Sequence, residues 1–118
     1  MTQIHQESTP KPYFFRLSGT LVYSEPGNPY ETIEVYLDFE PEFMVVKSWI
    51  SEHGPDGCSS WHGLFLDNEN QEKLTLVAGG DLREFLQTYL KEHSNGGLSD
   101  LSQFLREQGI TYASKYAF

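Results

Sequence analysis

Apolar and polar residues alternate from Tyr13 onward. Phe15, Leu17, Leu21 and Tyr23 fall on one face of an extended chain, with Arg16, Ser18 and Thr20 on the other, which predicts a strand with one buried face. Gly19 interrupts the apolar face and marks either a bulge or a close crossing. Ser24-Glu25-Pro26-Gly27-Asn28-Pro29 is a turn by residue type, because proline presets φ while Gly and Asn tolerate positive φ. The alternation then resumes. Ile33, Val35, Leu37 and Phe39 point one way, and Thr32, Glu34, Tyr36, Asp38 and Glu40 the other. The two segments predict an antiparallel hairpin with one wet face.

Residues 41–53 carry conflicting signals. Pro41-Glu42 suits the first turn of a helix and Gly54-Pro55 suits its end, whereas Phe43-Met44-Val45-Val46 has the β-branched and aromatic content of a strand. The boundary signals favour a short helix, with the strand as the alternative. A second hairpin is expected beyond the Gly54–Gly57 loop. Its strands are Trp61–Leu66 and Lys73–Ala78, joined by a turn at Asp67-Asn68-Glu69-Asn70.

Gly79-Gly80 ends the alternation and the period becomes helical. Leu82, Phe85, Leu86, Tyr89 and Leu90 recur at helical spacing, with Asp81 as N-cap, Glu84 completing a capping box, and Asn95-Gly96-Gly97 as the stop. A shorter helix from about Ser99 buries Leu101, Phe104 and Leu105, with Gly109 just past its end. The tail carries Tyr112, Tyr116 and Phe118, which is aromatic enough to dock on the core or on a partner. Strands first and helices afterwards predict an α+β fold. Its expected form is an antiparallel sheet built from two hairpins, with two C-terminal helices packed on one face. Residues 1–11 are polar and read as a flexible arm, and 12–118 read as a single domain.

Charge changes the picture most. Seventeen Asp and Glu against eight Lys and Arg leave a net charge of −9. The acids cluster: residues 25–72 hold eleven acids and one base, Lys47, while the rest of the chain holds six acids and seven bases. Glu34, Tyr36, Asp38 and Glu40 occupy the outward face of one expected strand, with same-face neighbours roughly 6.8 Å apart. With the hairpin-loop acids Glu25 and Glu31 they form a stripe that presents Tyr36 as an aromatic anchor. A chain this acidic is repelled by nucleic acid and by anionic membranes. No apolar run approaches the roughly 20 residues of a membrane helix. Cys58 is the single cysteine, so no internal disulfide forms, and the N-terminus lacks the pattern of a signal peptide. The expected address is the cytoplasm.

Candidate chemistry is sparse. His53, Asp56, Cys58 and His62 lie within ten residues, but their spacing fits no zinc motif. A reactive Cys58 would need an electropositive setting, and this one is acidic. Pairs such as Asp38 with Glu40, or Asp67 with Glu69, are what chance yields in so acidic a window. Gly79-Gly80-Asp81 lacks the Lys and Ser/Thr of a phosphate loop. The sequence therefore implies no catalytic residue, cofactor or metal ligand. It points to a non-enzymatic acidic module that occupies a basic protein surface. An inhibitor, immunity or anti-defence protein directed at a nuclease or nucleic-acid-handling complex fits that description, and DNA mimicry is one form of it. The alternatives are a structural or adaptor subunit, including a homo-oligomer, that assembles through its helices and Tyr112, Tyr116 and Phe118, and a small metal- or thiol-dependent enzyme using residues 53–62. Surface acids also serve solubility alone.

Overall fold

A computed structural model describes residues 19–26, 31–52, 59–93 and 97–117. Strands β1 (Thr20–Pro26), β2 (Glu31–Glu40), β3 (Phe43–Glu52) and β4 (Ser59–Asp67) come first. Helices α1 (Asn68–Val77), α2 (Leu82–Glu92) and α3 (Gly97–Glu107) follow, and β5 (Ala113–Ala117) closes the order. The strands form one antiparallel sheet in sequential order β1 to β5. The fold is α+β, but the strands are not grouped as two hairpins. Four run as a meander, and β5 joins the edge after three helices rather than two. The expected arm, residues 1–11, lies outside the described residues.

The expected helix over 41–53 is instead strand β3. It pairs with β2 from Glu31↔Glu52 to Glu40↔Phe43 and with β4 from Phe43↔Asp67 to Ser51↔Ser59. Met44, Val45 and Val46 are all fully buried. A strand covered on both faces reads as a continuous apolar run without alternation, which is why the helix boundary signals outweighed it.

The expected turn at 67–70 and strand at 73–78 are instead the end of β4 and the helix α1 with its caps. Asp67 caps it, its carboxylate accepting from the Asn70 N–H at 2.9 Å. The end is a Schellman arrangement: Gly80 N–H reaches Thr75 O, Gly79 N–H reaches Leu76 O, and Gly79 takes φ +80. Asn70 and Leu74 are the buried residues of this helix, while Leu76 is 81% exposed. Leu74-Thr75-Leu76 imitates strand alternation because the helix has almost no apolar face.

α2 matches expectation closely. Asp81 accepts from the Glu84 N–H at 3.0 Å, and Leu82, Leu86 and Leu90 are buried. α2 ends at Glu92, and Gly97, expected in its stop, instead opens α3, which ends in a second Schellman arrangement at Gly109 (φ +74), with Ile110 N–H bonded to Leu105 O. One core joins these helices to a single sheet face, drawing on Val22, Val35, Leu37, Met44, Val46, Leu64 and Leu66 with Leu74, Leu86, Leu101 and Leu105. The opposite face carries its own cluster of Phe43, Val45, Phe65 and Ala113.

β1 departs from its expected parity. The register slips between Leu21 and Tyr23, so Val22 and Tyr23 both face the helices while Leu21 falls on the other face. The bulge is therefore at Val22. Gly19 is the close crossing: at φ +94, an added Cβ would come within 2.6 Å of Leu37 O. The strand runs through Ser24 to Pro26, and 27–30 lie outside the described residues.

Candidate functional site

β2 places Glu34, Tyr36, Asp38 and Glu40 on the sheet face opposite the helices, as period-two geometry requires. Glu25 and Glu31 have the other parity and lie on the helix-side face, in strands rather than in loops. The six acidic-stripe candidates are thus divided between two faces. Tyr36 is half-buried and donates its hydroxyl to Glu34 at 3.1 Å. Burial raises its pKa, followed by that hydrogen bond and the Glu34 charge. Tyr23 donates to Glu25, a bond that heads the causes lifting the Tyr23 pKa to about 12.

Asp38 is not outward. It is 8% exposed, and its carboxylate lies 3.3 Å from the ammonium of Lys47, which has no exposed surface. Lys47 sits two pairing rows away on the same face, opposite Tyr36 on one side and Gly63 on the other. Its ammonium also lies 5.4 Å from the centre of the Trp61 ring, within cation–π range. Trp61 in turn faces Trp49 across the β3–β4 ladder, with ring centroids 4.2 Å apart.

This pair leaves the net charge of the acidic window unchanged but takes its one base off the surface. Lys47 is the one base among residues 25–72, and it is spent on Asp38 in the interior. Removing both leaves ten acids and no base in that window to set the external field. Glu31 lies directly opposite Glu52 in the β2–β3 register, with Glu25 and Glu34 near the same end of the sheet. Like charges directly opposite one another oppose pairing. Glu52 was not singled out in the sequence, because it fell in the segment expected to be helical.

The tail candidates separate. Tyr112 is core, 4% exposed, and accepts a hydrogen bond from Arg106. Tyr116 on β5 is 66% exposed and stacks on His62. Phe118 lies outside the described residues, as do His53, Asp56 and Cys58. His62 belongs to β4, with its Nε2 3.0 Å from Ser114 Oγ on β5, and burial lowers its pKa from 6.5. Among the described residues, no three His, Cys, Asp or Glu side chains could hold a metal ion, and no helix is long and apolar enough to cross a membrane.

Comparison with protein-family models, curated proteins and solved structures returns no match.

Proposed function

We propose that this chain is a non-enzymatic binding module whose acidic sheet occupies a basic surface on another protein. Its action is that of an inhibitor or immunity-type protein against a nuclease or nucleic-acid-handling complex. Carboxylates standing in for phosphates, as in DNA mimicry, are one form of that action. The observation that carries the reading is the burial of Lys47 against Asp38. The single base of the acidic window is withdrawn from the surface together with one acid, so the acids that remain in that window give it a field of one sign. A field of one sign speeds encounter with a basic partner and rejects acidic ones. Tyr36, half-buried beside Glu34, supplies apolar contact area on the face that also carries Glu40.

The test is affinity capture from a lysate of the source organism at low and moderate salt. The wild-type chain is compared with the Glu31→Gln/Glu34→Gln/Glu40→Gln variant. Asp38 is left intact because its substitution would disturb the interior. A stoichiometric basic partner held by the wild type, released by salt and lost from the variant, is the expected result. A partner held equally by the variant and at the higher salt would overturn the proposal. The adaptor alternative draws on Tyr116, exposed on the terminal strand β5. It expects concentration-dependent self-association that removal of residues 116–118 abolishes.

A further inference from the structure

Between α2 and α3 runs an open cleft of about 350 Å³ lined by Tyr89, His93, Asp100, Gln103, Phe104 and Glu107. That size lies at the lower end of the roughly 300–1,000 Å³ typical of ligand clefts. The aromatic wall is ordered by ring contacts. Tyr89 stacks on His93 at 4.0 Å, packs against Phe104 at 5.3 Å, and donates its hydroxyl to Asp100 O at 3.0 Å. Sequence periodicity assigned Tyr89 and Phe104 to the core, yet both are only half-buried.

The polar lining has one character. His93 Nδ1 lies 2.9 Å from Tyr89 O. A carbonyl only accepts, so Nδ1 donates there and Nε2 is the acceptor of the neutral ring. Asp100 and Glu107 contribute carboxylates, and Gln103 turns its amide N–H towards Glu107 at 3.3 Å. Among the described residues, no Lys or Arg lines the cleft. The negative field is felt inside it: after burial, the charges of Asp100 and then Glu107 raise the Tyr89 pKa.

The geometry points to a docking cleft for an arginine side chain presented by a partner protein, with the guanidinium between the aromatic wall and the Asp100 and Glu107 carboxylates. A metal cation does not suit it, since no three ligating side chains converge among the described residues. Arginine suits it better than lysine. Its planar cation stacks on aromatic faces and offers five donors to a lining of acceptors, whereas an ammonium is a compact, strongly hydrated point charge. The cleft uses none of the sheet acids of the proposed function, so the two stand or fall separately.

The test is an NMR titration of the full chain with three short blocked peptides that differ only in a central arginine, citrulline or norleucine. The arginine peptide is expected to give saturable shifts at the Gln103 side-chain amide, His93 and Tyr89. Binding should weaken roughly tenfold or more with citrulline, which keeps the shape and removes the charge. The Asp100→Asn/Glu107→Gln variant should lose the arginine preference while resonances outside the cleft stay in place. If that variant is poorly folded, Glu107→Gln alone should show a smaller loss of the same kind. Equal binding of the citrulline or norleucine peptide would overturn the proposal. So would an unchanged arginine affinity in a folded variant, or no saturable shift at millimolar peptide.

Discussion

Lys47 and Asp38 meet 3.3 Å apart in the interior of the sheet, with the lysine fully buried and the Trp61 ring beside its ammonium. Two charges taken out of water cost several kcal/mol each, which their mutual attraction offsets only while both are present. Asp38→Ala is therefore expected to destabilise the fold by about 3–5 kcal/mol, because it removes a carboxylate from beside a buried cation. Adding Lys47→Met to that variant should recover much of the loss. Urea unfolding of the two variants checks this, and equal instability of single and double variants would count against it.

The Glu31–Glu52 pairing makes a second, opposite prediction. Glu31→Lys replaces a like-charge cross-strand pair with an attractive one and should stabilise by about 0.5 kcal/mol. The same substitution should weaken capture of a basic partner. A raised thermal midpoint at low ionic strength, together with reduced capture, is the expected combination. A lowered midpoint would show that the register pair is not strained.

His62 predicts a pH dependence. Burial lowers its folded-state pKa from 6.5, so as pH falls below that value the unfolded chain takes up a proton before the folded chain does. Stability therefore declines as pH drops from 6.5 and levels off once folded His62 is itself protonated. His62→Gln retains a group able to bond Ser114 and should remove this part of the decline. Urea midpoints of both proteins across the range test it, and parallel profiles would refute it.

Asn70 ties α1 to the approach to β5. Its side chain donates to Asp67 at 2.9 Å and accepts from the Thr111 N–H at 2.9 Å, forty-one positions along the chain. Asn70→Ala should cost about 1–3 kcal/mol, the penalty for hydrogen-bonding groups left without their partner. Hydrogen exchange at the Thr111 amide should quicken more than at β2 and β3. An unchanged Thr111 rate would mean the contact is not formed in solution.

How much of this was legible beforehand depends on how local the cause is. α2 was readable because its stripe, its Asp81 cap and its preceding glycines all lie within a few turns. The two faces of β2 were readable because strand parity needs no partner. α1 was not, since a helix with one buried leucine and one buried asparagine carries no amphipathic signal. Its existence rests on the Asp67 cap and the tie from Asn70 to Thr111. The α2–α3 cleft was hidden for a related reason: an aromatic stripe does not reveal which of its members a neighbouring helix leaves half-covered.

By itself, the sequence determined the α+β class, the parity of β2 and the concentration of acids between residues 25 and 72. These follow from the periodicity of the backbone and from counting. Tertiary structure alone decided that β3 is a central strand, that Leu21 and Tyr23 part company at a bulge, and that Asp38 turns from surface acid to buried partner. Each of those outcomes is set by which residue of a distant strand lies opposite, and a pairing register is a property of two segments that neither one encodes alone.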